Sequence, residues 1–257
     1  MMNPSEIPSV RHSRSDIRTA PPPGPGDGWS IGRASVVAGV GLLVMSVLGA
    51  FANFAVVVRL VAPGDAATTA ANILGAEAMF HLGVVGWVLI VLLDVVVAWG
   101  LFRVFRPASA AVSLLAAWFR LVYAGVLLVA VSHLAAAVQI LGEGAYAGVF
   151  DGPQQQVLAL SETTAFTDTY DLALVLFGVH LLLLGYLAWR SGYVPKLLGA
   201  LLALAGAGYV FDSLVAVLAL DFPVTVSVFT FLGEFLLALW LVIRGRRLTL
   251  VDAGGPA

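Results

Sequence analysis

Six long apolar runs, at residues 34–61, 77–102, 108–141, 167–189, 197–220 and 225–243, limit what this chain can become. Each reaches or approaches the roughly 20 residues that an α-helix needs to cross a hydrocarbon core. No water is available there, so each spanning segment must satisfy its own backbone N–H and C=O groups. A run of this length does so as a helix. A soluble domain has no need of so much apolar surface: 60% of the 257 residues are hydrophobic and 11% are charged. The expected fold is all-α, a polytopic bundle of six transmembrane helices.

The basic residues orient that bundle. Arg11, Arg14, Arg18 and Arg33 precede the first run, and Arg103 and Arg106 separate the second from the third. Arg190 and Lys196 separate the fourth from the fifth, and Arg244, Arg246 and Arg247 follow the sixth. The alternate connections and their flanks hold Asp65, Glu77, Glu143, Asp151, Glu162, Asp168, Asp171 and Asp221. Arg59, at the outer end of the first run, is the one exception and can snorkel. The positive-inside rule therefore puts both termini in the cytoplasm. Residues 1–30, with a Pro/Gly-rich stretch at 21–26 and little to build a core, read as a disordered cytoplasmic tail. The first apolar run is too long for the h-region of a cleaved signal peptide. Residues 31–247 form the transmembrane domain and 248–257 a short cytoplasmic tail. The connection from Gly142 to Phe166, rich in Gly, Gln and acids, reads as a partly ordered outer loop.

Composition also removes whole classes of function. With no cysteine there is no disulfide, thiolate metal site or cysteine nucleophile. A formal net charge of −2 lacks the concentrated basic face that nucleic acid requires. Twelve of the 13 basic residues are arginine, a bias that points to a GC-rich bacterial genome and hence to a bacterial cytoplasmic membrane. Glu77 and His81 are four residues apart, and His133 lies near the outer end of the third run. These could form a zinc set, but no HExxH or HxxxH pattern supports it, and isolated interfacial histidines are the preferred reading. No metal or cofactor is expected. Phosphate loops and serine nucleophile elbows are absent from the sequence.

Charge inside the apolar runs is the informative exception. Asp94, Arg120, Asp212 and Glu234 lie within them, and an ionised group at the bilayer centre costs roughly 2.5–3.5 kcal/mol on insertion scales. Asp94, His180 and Glu234 each precede an arginine by nine or ten residues. At about 1.5 Å per residue, that places all three near mid-membrane. Arg120 reaches a similar depth in the third run, and Asp212 lies slightly further out. Arginine cannot be neutralised, so it needs an acidic or carbonyl partner. Three carboxyls around one arginine leave an excess of negative charge, so at least one of them is expected to be protonated or to have a raised pKa, the arrangement from which proton relays are built. A buried pair that only fixes helix register is the competing reading. In the sixth run Ser227, Thr230 and Glu234 share a helix face, either as a hydrated path from outside or as hydroxyls bonded to their own backbone. Small residues such as Gly199, Ala203 and Gly206 mark close helix packing.

Four stretches carry a family likeness: Leu92 to Pro107 (LLDVVVAWGLFRVFRP), Trp118 to Ala124 (WFRLVYA), Arg190 to Gly199 (RSGYVPKLLG) and Glu234 to Gly245 (EFLLALWLVIRG). Over roughly residues 30–247 the chain resembles a family of bacterial integral membrane proteins catalogued as domain of unknown function 4386. The resemblance implies a six-helix membrane fold and brings no activity or cofactor. From the residues, the leading expectation is binding or transport of a small or lipidic ligand at the layer of Asp94, Arg120, His180, Asp212 and Glu234. Two alternatives stand beside it: an intramembrane enzyme acting on lipid, and a non-catalytic interaction protein. Membrane lipid is the expected partner, and enzymatic activity is the less favoured reading.

Overall fold

The computed structural model describes residues 29–142, 146, 148–218 and 232–249. Every regular element among them is helical. In chain order these are α1 (Ile31–Leu60), α2 (Ala66–Gly75), α3 (Glu77–Phe105), α4 (Ala110–Leu141), α5 (Gly152–Arg190), α6 (Lys196–Val217) and α7 (Leu232–Ile243). Five of them, α1 and α3 to α6, are long and apolar enough to cross a membrane. The described part of α7 has 12 residues. The remainder of the expected sixth span, including Ser227 and Thr230, lies outside the described residues.

Local sequence accounts for the helix starts. Ser30 caps α1 by accepting from the Arg33 amide, and Ser109 caps α4 by accepting from Val112. Asp151 opens α5 with a capping box: its carboxylate accepts from Gln154 N at 2.9 Å while the Gln154 side chain accepts from Asp151 N at 3.1 Å. Pro153 follows in the first turn, where its missing N–H is no loss. This corrects the expectation of a loop from Gly142 to Phe166. The helix begins at Gly152, and its 39 residues extend for about 58 Å, well beyond the hydrocarbon core.

The first outer connection also holds a helix that hydropathy did not reveal. Asp65 caps α2, and the backbone and hydroxyl of Thr68 hold its carboxyl below the ordinary carboxylate range. The cap is therefore intact at neutral pH and is lost only as pH falls through that lowered value. Thr69 Oγ1 accepts from Ala62 N, and Asn72 donates to Leu60 O, which ties α2 to the end of α1.

The long helices close on themselves. α1 packs on α3, α3 on α4, α4 on α5, α5 on α6 and α6 on α7, and α7 returns to α1. Each helix thus faces its neighbours in sequence, as short connections require, and the ring encloses an interior. The exterior is unlike that of a soluble protein. Val47 is 71% exposed and Trp118 59%, whereas Asp94 is 0% exposed and Arg120 and His180 are each 1%. An apolar exterior, with a few charged groups held inside an otherwise apolar core, is the arrangement expected where lipid is the solvent.

Glycine sets the tightest seam, between α5 and α6. A Cβ on Gly178 would lie 2.7 Å from the Gly206 carbonyl oxygen, and one on Gly185 would lie 2.7 Å from that of Gly199. The two pairs are seven residues apart on each antiparallel helix, so the backbones touch over two turns. The RSGYVPKLLG stretch explains itself here. Gly192 takes φ +74° to reverse the chain, Ser191 Oγ accepts from Val194 N, and the Tyr193 hydroxyl donates to Val104 O at 2.7 Å. Burial pushes the Tyr193 phenol up, so it remains a donor at physiological pH. The hairpin between α5 and α6 is thereby locked to the end of α3.

Gly206→Leu should force α5 and α6 apart and lower stability by about 1–3 kcal/mol, the usual cost of overpacking. Gly125→Ala, where an added Cβ meets nothing within 4 Å, should leave thermal unfolding in detergent unchanged or slightly raised. Equal effects of the two substitutions would refute the close seam.

Candidate functional site

The ring interior is organised around Arg120 on α4. Its Nη2 lies 2.6 Å from Asp94 Oδ1 on α3, its Nη1 lies 3.2 Å from His180 Nε2 on α5, and its Nη2 is 3.8 Å from Met45 Sδ on α1. The guanidinium carbon stands 5.5 Å from the centre of the Phe177 ring, a cation–π distance. Four helices of the ring therefore meet at one cation.

Hydrogen-bond chemistry fixes the state of His180. Its Nδ1 lies 2.8 Å from Ala116 O and its Nε2 faces the arginine. A carbonyl can only accept and a guanidinium can only donate. The ring must then be neutral, with the proton on Nδ1 and the Nε2 lone pair directed at Arg120. His180 works as a second acceptor for the cation and as a strut to the α4 backbone.

The pair with Asp94 is short but incomplete. Asp94 Oδ2 and Arg120 Nε have no hydrogen-bond partner among the described residues, and the Asp94 Oδ1 contact is a close approach of charges rather than an aligned hydrogen bond. Glu234 on α7 completes the constellation. Its carboxyl faces the Tyr209 hydroxyl of α6 and lies within electrostatic reach of Arg120 and Asp94, while its Oε1 is buried with no hydrogen-bond partner among the described residues. Every described helix of the ring thus contributes to one polar layer.

Aromatic rings wall this layer. Phe177 is the hub: its centroid is 4.8 Å from Tyr123, 5.5 Å from Tyr209 and 5.9 Å from the His180 ring. Towards the acidic end of the bundle, Trp87, Phe166 and Tyr170 form a second cluster with centroids 5.4–5.9 Å apart. Such edge and offset contacts fill space densely while leaving polar tips on Tyr and Trp.

Of the residues expected from sequence, Asp94, Arg120, His180 and Glu234 are brought together. Asp212 on α6 lies within electrostatic reach both of Tyr209, which Glu234 faces, and of Asp171 on α5, which has Asp168 beside it. Ser227 and Thr230 lie outside the described residues. The outer histidines do not converge either. His133 Nδ1 meets Glu162 Oε2 at 2.7 Å, while His81 Nδ1 contacts the Glu77 backbone oxygen. No group of three potential metal ligands occurs among the described residues. Sequence reading missed Phe177, Tyr123, Tyr209 and Met45. Phe177 lies three residues before His180, the spacing of a shared helix face, and that was the available signal.

The family model for the Domain of unknown function (DUF4386) matches residues 37–245, well over half the chain. The chain belongs to this family. The match takes in Asp94, Arg120, His180 and Glu234, so the whole polar layer falls within the DUF4386 region. The DUF4386 chain is also similar to a protein of Archaeoglobus fulgidus described as "Uncharacterized protein", with 38% identity over 166 residues covering 65% of this chain and 85% of the relative. That relative is archaeal, so it lends no support to the bacterial origin expected from composition. No solved structure matches the chain.

Removing the cation alone would strand Asp94. Arg120→Leu and Asp94→Leu should each lower stability in detergent by about 3–5 kcal/mol, the range for breaking a buried pair. Arg120→Leu with Asp94→Leu should recover a large part of that loss in a thermal-unfolding double-mutant cycle. Additive losses would show that the two residues do not act as a pair.

Proposed function

We propose that this DUF4386 protein is a six-span membrane protein that binds or transports a small or lipidic ligand. The ligand's polar group would engage the layer of Asp94, Arg120, His180 and Glu234. One observation carries this reading: Arg120 Nε, Asp94 Oδ2 and Glu234 Oε1 are buried without hydrogen-bond partners among the described residues. A pair that served only to fix helix register would be expected to satisfy its own hydrogen bonds, because an unmade one costs about 1–3 kcal/mol. Three orphaned polar atoms around one cation instead make a receptive site for a group that donates and accepts.

The residues divide the work. Arg120 supplies a permanent positive charge. Asp94 balances it, and His180 fixes its direction. Glu234, lacking the direct ion pair that Asp94 has, is the acid that exchanges a proton as the site fills or empties. Phe177, Tyr123 and Tyr209 supply the apolar walls that most small-molecule sites require. In the alternative reading as an enzyme acting on lipid, the histidines bring together no metal set among the described residues, since His133 pairs with Glu162, and the carboxylates of the central layer would serve as acid and base.

In this reading both termini are cytoplasmic, and α7 belongs to a sixth crossing. Arg33, Arg103, Arg106, Arg190, Lys196, Arg244, Arg246 and Arg247 all flank the helix ends that share one face of the ring, which the positive-inside rule assigns to the cytoplasm.

Two measurements test these assignments. With single cysteines in a chain that has none of its own, Gly148→Cys should label with an impermeant thiol reagent in intact cells and Pro107→Cys should not. The opposite pattern would reverse the orientation. Infrared difference spectra of reconstituted protein across pH should show a carboxyl band that Glu234→Gln removes. A band that survives Glu234→Gln but vanishes in Asp94→Asn would move the proton exchange to Asp94. The absence of any carboxyl band would leave a purely structural charge pair.

A further inference from the structure

A second site lies at the arginine-rich end of the bundle, apart from the central layer. There Tyr193, Pro195, Trp240, Arg244, Arg247 and Leu248 line a cleft of about 500 Å³, a size typical of small-ligand sites. The geometry of its floor follows from one short turn. After α7 the chain enters a 3₁₀ turn at Gly245–Arg247, in which Arg247 N bonds to Arg244 O at 3.0 Å. Residues three apart in such a turn lie one above the other, which brings Arg244 and Arg247 to the same side.

That turn is fixed to α1. Ser35 Oγ donates to Leu241 O at 2.9 Å, a Cβ on Gly245 would collide with Ser35 Oγ, and one on Gly32 would lie 2.5 Å from Arg246 O. The opposite wall is equally constrained, since the Tyr193 hydroxyl is committed to Val104 O. Three other cations at this end have partners of their own. Arg103 donates to Trp29 O, Arg190 to the Tyr186 hydroxyl, and Lys196 sits over the Trp189 ring. Arg244 and Arg247 have neither an acid nor a ring partner among the described residues.

We infer that this cleft binds an anionic phosphate group, held by the paired guanidiniums of Arg244 and Arg247 with Trp240 and Tyr193 as its apolar walls. Arginine matches phosphate through two parallel N–H···O bonds, and basic pockets at helix ends on the cytoplasmic side suit anionic lipid headgroups. A phospholipid headgroup and a free phosphate compound share this chemistry. Binding here does not depend on the central layer, so either site can fail without the other.

The test uses the full chain purified in a non-ionic detergent, with phosphatidylglycerol, phosphatidylcholine and inorganic phosphate as probes. Phosphatidylglycerol should bind more tightly than phosphatidylcholine. Arg244→Gln with Arg247→Gln should weaken phosphatidylglycerol binding by about tenfold or more, as expected for loss of charge-assisted hydrogen bonds. Arg106→Gln with Arg190→Gln, which removes the same charge from the same end but outside the cleft, should bind as the parent does. Competition by inorganic phosphate would identify a free phosphate compound as an occupant. Phosphatidylglycerol binding without such competition would identify the lipid headgroup. The inference is overturned if the parent binds neither phosphatidylglycerol nor inorganic phosphate, if the cleft variant binds undiminished, or if both double variants lose affinity equally.

Discussion

A guanidinium that cannot give up its charge, placed in the middle of an apolar bundle, sets conditions that the rest of the structure has to meet. Arg120 is 1% exposed, yet it lies in a chain whose exterior is suited to lipid. Its charge has to be balanced and its donors have to find acceptors. Asp94 supplies the balance, His180 supplies a neutral acceptor, and Phe177 offers the negative face of its ring. These groups come from different helices, so the helices can be arranged in only a few ways that serve them all. A ring in which each helix touches its sequence neighbours, with α7 returning to α1, is one such arrangement. Glycine then makes it possible at the α5–α6 seam, where backbone contact replaces side-chain packing and draws His180 and Tyr209 towards the same interior.

Within this frame the charge pair is both a structural element and an unfinished one. Replacing a buried ion pair with apolar groups is often neutral or stabilising, so its presence is poor evidence for stability alone. What distinguishes this pair is the capacity left over on Arg120, Asp94 and Glu234. The aromatic walls around it give that capacity a shape. The arginine-rich end has a different logic, with charges presented outward on a fixed turn rather than balanced within. One chain thus treats arginine in two ways, enclosed at mid-depth and offered at the edge.

Much of this was legible in the sequence, and the limits have a common cause. Hydropathy gives depth along a helix, and it located the five helices long and apolar enough to cross a membrane as well as the level shared by Asp94, Arg120, His180 and Glu234. It says little about direction around a helix that is apolar on every side. Asp212 illustrates the point: its depth does not tell that it comes within electrostatic reach of Asp171 on α5 as well as of Tyr209 in the central layer. Phe177, Tyr123 and Tyr209 were missed for the same reason, since an aromatic residue in an apolar run carries no mark of which way it faces. The outer extension of α5 and the whole of α2 were missed because hydropathy is silent outside the membrane. The capping box at Asp151 and Gln154 was the signal for the first, and Asp65 three residues before Thr68 was the signal for the second. The RSGYVPKLLG stretch stood out as distinctive before its use was known, and it proves to be a hairpin in which almost every residue has a separate contact.

The arrangement of the whole bundle depends on Arg120 being held by Asp94 in its interior rather than reaching for an interface. Solid-state NMR on protein in lipid bilayers, with nitrogen-15 in arginine side chains and carbon-13 in aspartate carboxyls, measures that contact directly. A buried pair gives a strong dipolar coupling between an Arg120 Nη and the Asp94 carboxyl carbon, abolished by Asp94→Asn labelled in the same way. A guanidinium that shows no such coupling and exchanges its protons freely with bulk water would contradict that pairing.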